Sequence, residues 1–141
     1  MATHVYEGIA RGSAVLEAAG AYDPTPIRIG SNNYNQITFM IAYTRGGAGG
    51  AVTFKIEMSN DGTNFYQVSE FSSGTVTAGA DVADATQRAE ITYQATGATI
   101  ERFTSPTFTV AANFYRIVCR ESGAVGTPGT VLVEFTARGD L

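Results

Sequence analysis

Alternation of apolar and polar side chains is the feature that most constrains how this chain can fold. In residues 52–58, Val, Phe, Ile and Met alternate with Thr, Lys and Glu, so an extended segment would bury one face and expose the other. Residues 37–43 have the same alternation in their large side chains, but Met40 and Ala42 make the second face apolar as well. These patterns predict strands. The sequence has no heptad pattern and no internal repeat of fixed period.

Glycine-rich and polar segments separate the predicted strands. The Asn-Asp-Gly run at residues 60–62 favours turn conformations with positive φ and predicts a hairpin between residues 52–58 and 65–70. The glycine-rich residues 46–50 predict a second hairpin or a flexible loop. Further along, residues 114–120 and 131–136 are predicted to pair through a turn-rich connection.

Shorter extended segments complete the predicted fold; they comprise residues 14–17, 26–29, 90–93 and 100–104. The total of about eight strands predicts an all-β protein, an antiparallel β-sandwich or jelly roll. At 141 residues the chain fits one domain. We expect an N-terminal arm over residues 1–11 and a long polar loop over residues 72–87, with a short helix over residues 80–89 as an alternative for part of it.

Charge and cysteine content exclude several classes of function. The net charge of −4 and the pI of about 4.8 disfavour nucleic-acid binding, because phosphate neutralisation needs a basic face. They also disfavour binding to an anionic membrane surface, and no segment has the apolar length of a membrane span. The single cysteine cannot form an internal disulfide, so we expect synthesis in a reducing cytoplasm without secretion.

Residues suited to covalent or zinc chemistry are scarce. The only histidine, His4, lies in a terminal segment expected to fray, so a nucleophile would lack a general base. Cys119 falls in register with Tyr115 and Ile117, which predicts a buried, inert thiol. One cysteine and one histidine cannot supply a structural zinc site. We therefore predict no catalytic, cofactor-binding or metal-binding residues and a protein that is not an enzyme.

Oxygen ligands and paired carboxylates leave weaker alternatives. Asn60, Asp61 and Asn64 could offer oxygens to calcium, but their residue types are favoured in a hairpin turn, so ion binding at this turn stays open. Asp81 and Asp84 could act as a general acid and base, as paired carboxylates do in glycosidases. Their polar surroundings favour a solvated loop instead.

Three tyrosines could form an aromatic platform for sugars or single-stranded nucleic acid. Tyr43, Tyr66 and Tyr115 each lie in or beside a predicted strand, where core packing or cross-strand pairing is the favoured interpretation.

Three segments together resemble a known group of proteins. The order FKIEMSNDGTNFY (residues 54–66), FYRIV (114–118) and GTVLVEF (129–135) resembles small β-sandwich virion proteins of tailed bacteriophages, with head decoration (capsid cement) proteins as the best match. The resemblance covers about half of the chain. It implies a protein made in the host cytoplasm that binds the capsid surface, often as a homotrimer, and bridges subunits of the major capsid protein, with no catalytic residues.

Two other functions remain open beside this resemblance. The order Ser-Asn-Asp-Gly-Thr-Asn-aromatic at residues 59–65 also occurs in discoidin-like and carbohydrate-binding sandwiches. A carbohydrate- or receptor-binding module of a phage tail or fibre is therefore the main alternative. The third is an enzyme whose site consists of Asp and Glu alone.

Apolar residues on two faces of a strand predict self-association. A two-layer sandwich buries only one face of each sheet, so the second face of residues 37–43, together with Val118 and Leu132, would need another cover. A subunit interface of a homo-oligomer would provide it. Partner-binding residues are not identified by the sequence; residues 1–11 and 72–87 are the predicted contacts with the capsid.

Overall fold

The chain folds into two antiparallel β-sheets that enclose one apolar core, which confirms the predicted all-β sandwich. The computed structural model describes residues 3–31, 34–68, 70–71, 87–88, 91–105, 107–122 and 126–140. Its elements in chain order are β1 (Thr3–Val15), a 3-10 turn (Ala18–Gly20), β2 (Ile29–Gly30), β3 (Gln36–Thr44), β4 (Ala51–Ser59), β5 (Tyr66–Gln67), β6 (Glu70–Phe71), β7 (Gln87–Arg88), β8 (Ile91–Gln94), β9 (Glu101–Thr104), β10 (Phe108–Thr109), β11 (Phe114–Ser122) and β12 (Thr130–Asp140).

Each of the two sheets contains five strands from the described part of the chain. In sheet A the order is β1-β12-β3, and β9 and β10 both pair with β3. In sheet B the order is β2-β11-β4, and β5 and β8 both pair with β4. The strands β6 and β7 pair with each other and with no other strand of the described part of the chain. None of the helices among the described residues has the length and apolar character needed to cross a membrane.

The period-two alternation fills the space between the sheets. The largest fully buried apolar side chains of the core come from the central strands of both sheets. Sheet A contributes Phe39, Ile41, Tyr43, Val131 and Val133, and sheet B contributes Val52, Phe54, Tyr115, Ile117 and Cys119. Each such apolar side chain stabilises the fold by about 1.5–3 kcal/mol relative to an exposed position.

The predicted hairpin after residues 52–58 is confirmed. Strands β4 and β5 are antiparallel neighbours, with Glu57 opposite Gln67 and Met58 opposite Tyr66. The Val68 amide extends the pairing by donating to the Ile56 carbonyl at 2.7 Å. Local turn chemistry therefore located this hairpin correctly, although the regular part of its second strand is only two residues long.

The predicted pairing of residues 114–120 with residues 131–136 is wrong. Strand β11 pairs with β2 and β4 in sheet B, whereas β12 pairs with β1 and β3 in sheet A. The connection between them crosses from one sheet to the other, and so does the glycine-rich loop between β3 and β4. Glycine predicts that a chain turns, but it does not determine which sheet the next strand joins.

The predicted N-terminal arm is also wrong for residues 3–11. They belong to β1, which pairs with β12 from Thr3 opposite Asp140 to Val15 opposite Thr130. Two irregularities beside Arg11 interrupt the register, and such bulges obscure the alternation in the sequence. Gly8 has a packing role here, since a Cβ at this position would lie 2.8 Å from the Phe135 ring.

Most short segments lie close to their predicted places. Residues 26–29 overlap β2, residues 90–93 overlap β8, and residues 100–104 overlap β9. With the short strands counted, the described residues form twelve strands, compared with the predicted number of about eight. The long loop was predicted over residues 72–87 and the alternative helix over residues 80–89. Residues 72–86 lie outside the described part of the chain. Gln87–Arg88 form strand β7, so the predicted helix is wrong at these two residues.

Candidate binding surfaces

The outer face of sheet A is rich in threonine and sparsely apolar. Pairing register aligns three rows across β1, β12 and β3; they are Val5, Arg138 and Gln36, then Glu7, Thr136 and Thr38, then Ile9, Glu134 and Met40. The alternate residues of β12, including Val133 and Phe135, are buried on the inner face. Exposed fractions of 49% for Val5, 50% for Ile9 and 37% for Met40 make these side chains available for contacts. Beside them, a shallow groove of about 330 Å³ crosses the face between Met40 and Arg138.

The second face of residues 37–43 is therefore less apolar than the sequence suggested. Thr38 lies on this face and its hydroxyl bonds that of Thr107 at 2.7 Å, while Ala42 is half-buried. Val118 on sheet B is only 4% exposed within the single chain, so it provides no reason for a subunit interface. Leu132 is half-buried. The apolar groups that most need a partner instead lie on β1.

Cations stacked on aromatic rings cover the outer face of sheet B. The Arg116 guanidinium lies 3.8 Å from the centre of the Phe65 ring, and its Nε is 2.9 Å from Glu57 Oε1. Lys55 Nζ lies 4.5 Å from the centre of the Tyr22 ring. Such contacts contribute about 0.5–1 kcal/mol each at exposed sites. They hold the long side chains flat against this sheet.

Arg11 and Asp23 form a clamp between the two sheets. The Arg11 guanidinium binds both carboxylate oxygens of Asp23, at 2.9 Å through Nε and 3.1 Å through Nη2. Its Nη1 also donates to the Val131 carbonyl at 2.6 Å. Asp23 Oδ2 in turn accepts the Cys119 amide of β11 at 3.3 Å. The clamp thus ties the β1 bulge to sheet B, and it borders a groove of about 360 Å³.

A buried carboxylate joins the sheets two residues further along β11. Glu121 is 3% exposed, and its carboxylate accepts the Tyr43 hydroxyl at 2.5 Å, the Gly46 amide at 3.0 Å and the Gly129 amide at 2.8 Å. Gly46 and Gly129 belong to the two loops that cross between the sheets. One side chain therefore fixes both crossings, and its hydrogen bonds go to groups of the fold itself.

Alkaline pH should weaken this junction. Burial, and then the hydrogen bond to Glu121, raise the pKa of the Tyr43 phenol above its ordinary value of 10.0. The stabilising effect of neutral Tyr43 is fully present below about pH 10 and is lost as pH rises further, because the unfolded chain then ionises more readily. We expect the free energy of unfolding to fall less steeply above pH 10 in Tyr43→Phe than in the wild type, as measured by urea denaturation. Tyr66→Phe, which alters an exposed ring, should keep the wild-type slope; equal slopes in all three proteins would contradict this assignment.

The turn at residues 59–64 is organised around Asp61. Its Oδ1 accepts the Ser59 hydroxyl at 2.9 Å and the Thr63 and Asn64 amides at 2.8 Å, and its Oδ2 accepts Asn64 Nδ2 at 2.7 Å. These hydrogen bonds, the backbone ones first, hold the pKa of the Asp61 carboxyl well below its usual range. Gly62 takes the positive φ of 75° that the turn requires. Asp61 thus acts as a turn residue, and no group of three or more metal-ligating His, Cys, Asp or Glu side chains occurs in the described ranges.

Tyr66 differs from the other two tyrosines considered for a platform. Tyr43 and Tyr115 are buried in the core, as predicted, whereas Tyr66 is 68% exposed. Core packing was therefore wrong for Tyr66, but its position opposite Met58 agrees with the predicted alternative of cross-strand pairing. Its ring borders a concave site of about 250 Å³, named here the turn groove, which is lined by Met58, Ser59, Asn60, Asp61, Asn64, Tyr66, Ala111 and Ala112. The turn groove combines an exposed ring with fixed polar groups.

The remaining candidate functional residues either belong to strands of the fold or lie outside the described ranges. Cys119 is fully buried, as predicted, and burial, with the nearby Asp23 carboxylate, raises the pKa of its thiol to about 12. The His4 backbone pairs with Gly139. Asp81 and Asp84 lie outside the described residues. The Arg11 clamp and Glu121 were missed, since their partners are distant in sequence and no local pattern indicates them.

Comparison with known proteins identifies the fold. No protein-family model matches the sequence, and no curated protein matches it. The chain is similar to a chain in the crystal structure of the T13 particle of infectious bursal disease virus, with a TM-score of 0.56 and 9% identity over 97% of this chain and 31% of that one. A chain in the structure of the Gt strain of the same virus gives 0.53 and 10%, over 97% and 32%. This chain therefore spans about a third of each of those chains and shares with that part of them a two-sheet β-sandwich.

Proposed function

We propose that this chain is a non-enzymatic structural protein of a virion, which binds the outside of a capsid as a homo-oligomer and stabilises it by bridging capsid subunits. The observation that carries the proposal is the likeness of its fold, over 97% of the chain, to chains of a virus particle. The resemblance to tailed-phage decoration proteins supports the finer features: a homotrimer, the major capsid protein as partner, and synthesis in the host cytoplasm. Neither nucleic acid nor membrane is a partner in this proposal.

Strand β1 is the best-supported contact surface. Four of the eight exposed large apolar side chains in the described ranges lie on this one strand; they are Val5, Tyr6, Ile9 and Val15. Strand β1 is also the last strand in the described order of sheet A, so a partner can approach both its side chains and its backbone edge. Clustered exposed apolar groups mark interaction sites. Residues 72–87 remain a second proposed contact.

Removal of the apolar groups on β1 tests the proposal. In Val5→Ser/Ile9→Ser, capsid binding should weaken by roughly tenfold or more, because the change removes two exposed branched side chains from the proposed interface. Cosedimentation with empty capsids of the source virus measures binding, and light scattering measures the mass of the free protein. Ile100→Ser is the matched control, since Ile100 is similarly exposed, at 46%, but precedes β9 at the other side of the sheet.

The two measurements separate the parts of the proposal. A wild-type mass of one chain at micromolar concentration would exclude the homo-oligomer. Undiminished capsid binding by the double variant would exclude β1 as the contact, and no binding by the wild type would exclude the capsid as partner.

A further inference from the structure

The turn groove presents one aromatic ring to solvent. At 68%, the exposed fraction of Tyr66 is the largest among the exposed large apolar side chains of the described residues. Its backbone is held by antiparallel pairing with Met58 in β4. Ala111 and Ala112 line the groove beside it with small apolar side chains. An exposed ring on a paired strand can stack on a flat apolar surface, and an aromatic side chain loses little conformational entropy when it does so.

Fixed polar groups surround this ring. The Asn60 carbonyl accepts Asn113 Nδ2 at 3.1 Å, which holds the backbone, while the Asn60 side-chain amide bonds no other described residue. Asn64 uses one amide hydrogen on Asp61 Oδ2, which leaves its second hydrogen and its Oδ1 for a ligand. Asp61 Oδ2 accepts only that bond among the described residues, so it retains acceptor capacity. The groove thus offers both donors and acceptors to a ligand.

The chemistry of the groove selects the class of ligand. No Lys or Arg lines it, and Asp61 contributes a negative charge, which disfavours phosphates and other anions. Side-chain amides and a carboxylate match hydroxyl groups, since a hydroxyl both donates and accepts. The volume of the groove, about 250 Å³, is slightly smaller than the range of roughly 300–1,000 Å³ that is usual for small-molecule pockets. A ligand of the size of one sugar ring fits such a volume.

We infer that the turn groove binds a neutral pyranose, with the C–H face of the sugar on the Tyr66 ring and its hydroxyls on Asn60, Asn64 and Asp61. This site is separate from β1, and sugar binding does not depend on whether the chain binds a capsid. A ligand of this size with one stacking partner binds weakly, with a dissociation constant in the millimolar range.

Titration of the full chain with monosaccharides tests the inference. Glucose, galactose, mannose and N-acetylglucosamine are each added to about 100 mM, well above a millimolar dissociation constant, and are followed by ¹⁵N–¹H NMR. At least one sugar should shift the side-chain amide signals of Asn60 and Asn64 saturably. Tyr66→Ala should reduce its affinity by at least tenfold, whereas Tyr66→Phe should bind nearly as well as the wild type because it retains the ring. Asn60→Ala should weaken binding without disturbing the Asp61 turn.

Control titrations separate a specific site from general effects. Tyr6→Ala removes another exposed tyrosine, 46% exposed on β1, and should leave sugar affinity unchanged. Glucuronate should bind more weakly than glucose because of its repulsion by Asp61. The inference is overturned if none of the four sugars shifts the Asn60 and Asn64 signals, or if the same shifts persist in a Tyr66→Ala variant whose other signals show the native fold.

Discussion

Replacement of Glu121 with alanine should destabilise the fold by on the order of 3–5 kcal/mol. The carboxylate accepts three hydrogen bonds, from the Tyr43 hydroxyl and the Gly46 and Gly129 amides, and Glu121 is 3% exposed. Its removal would leave all three donors without this acceptor at a buried junction, and each buried unsatisfied donor costs about 1–3 kcal/mol. The midpoint and slope of urea denaturation give the free energy of unfolding.

A glutamate on the outer face provides the matched control. Glu57 binds Arg116 on sheet B with one contact of 2.9 Å, and its partner also stacks on an aromatic ring. Such a partly exposed pair contributes about 1 kcal/mol or less, so Glu57→Ala should have a much smaller effect. Equal losses in Glu57→Ala and Glu121→Ala would contradict the role assigned to the buried carboxylate.

Gly46→Ala should disrupt the same junction by a different mechanism, with a loss of stability of about 3 kcal/mol. A Cβ at Gly46 would overlap the Thr127 carbonyl oxygen and would lie 2.7 Å from both Gly129 N and Pro128 C. These neighbours are backbone atoms, so they cannot move aside as the end of a flexible side chain can. The two loops between the sheets would have to separate, and Glu121 would lose amide partners with them.

Gly126→Ala is the control for the glycine substitution. Gly126 lies in the connection between β11 and β12, but a Cβ there meets no atom within 4 Å. We therefore expect its thermal midpoint to remain within a few degrees of the wild type, while that of Gly46→Ala falls by more than about 10 °C. A wild-type midpoint for Gly46→Ala would show that the loops adapt without cost.

Local patterns identified strands better than they identified strand partners. Side-chain alternation marked residues 52–58 as β4, and the turn chemistry around Asp61 placed β5 beside it, because both signals involve neighbouring residues. The partner of β11 could not be deduced in the same way. A connection rich in glycine is compatible with a hairpin or with a crossing between sheets, and only the packing of both sheets on one core distinguishes them.

The candidate sites show the same limit. Asp61 and Gly62 were assigned correctly to a turn, since they act within a few residues of each other. The exposure of Tyr66 was not predicted, because alternation indicates which face a residue occupies but not whether that face is covered. The partners of Glu121 include Tyr43, 78 positions away, and a lone glutamate in a strand has no local signature of burial.

The position of β12 between β1 and β3 has a consequence for the order of folding. Among the described strands, β1 pairs only with β12, near the far end of the sequence, with Thr3 opposite Asp140. Strand β3 also pairs with β12. During synthesis, sheet B can assemble β4 with β11 before residues 130–140 emerge, but β1 and β3 have no common neighbour until then. Such high contact order slows folding and prolongs the exposure of unpaired edges. The apolar side chains of β1 are thus a hazard for misassembly in the nascent chain.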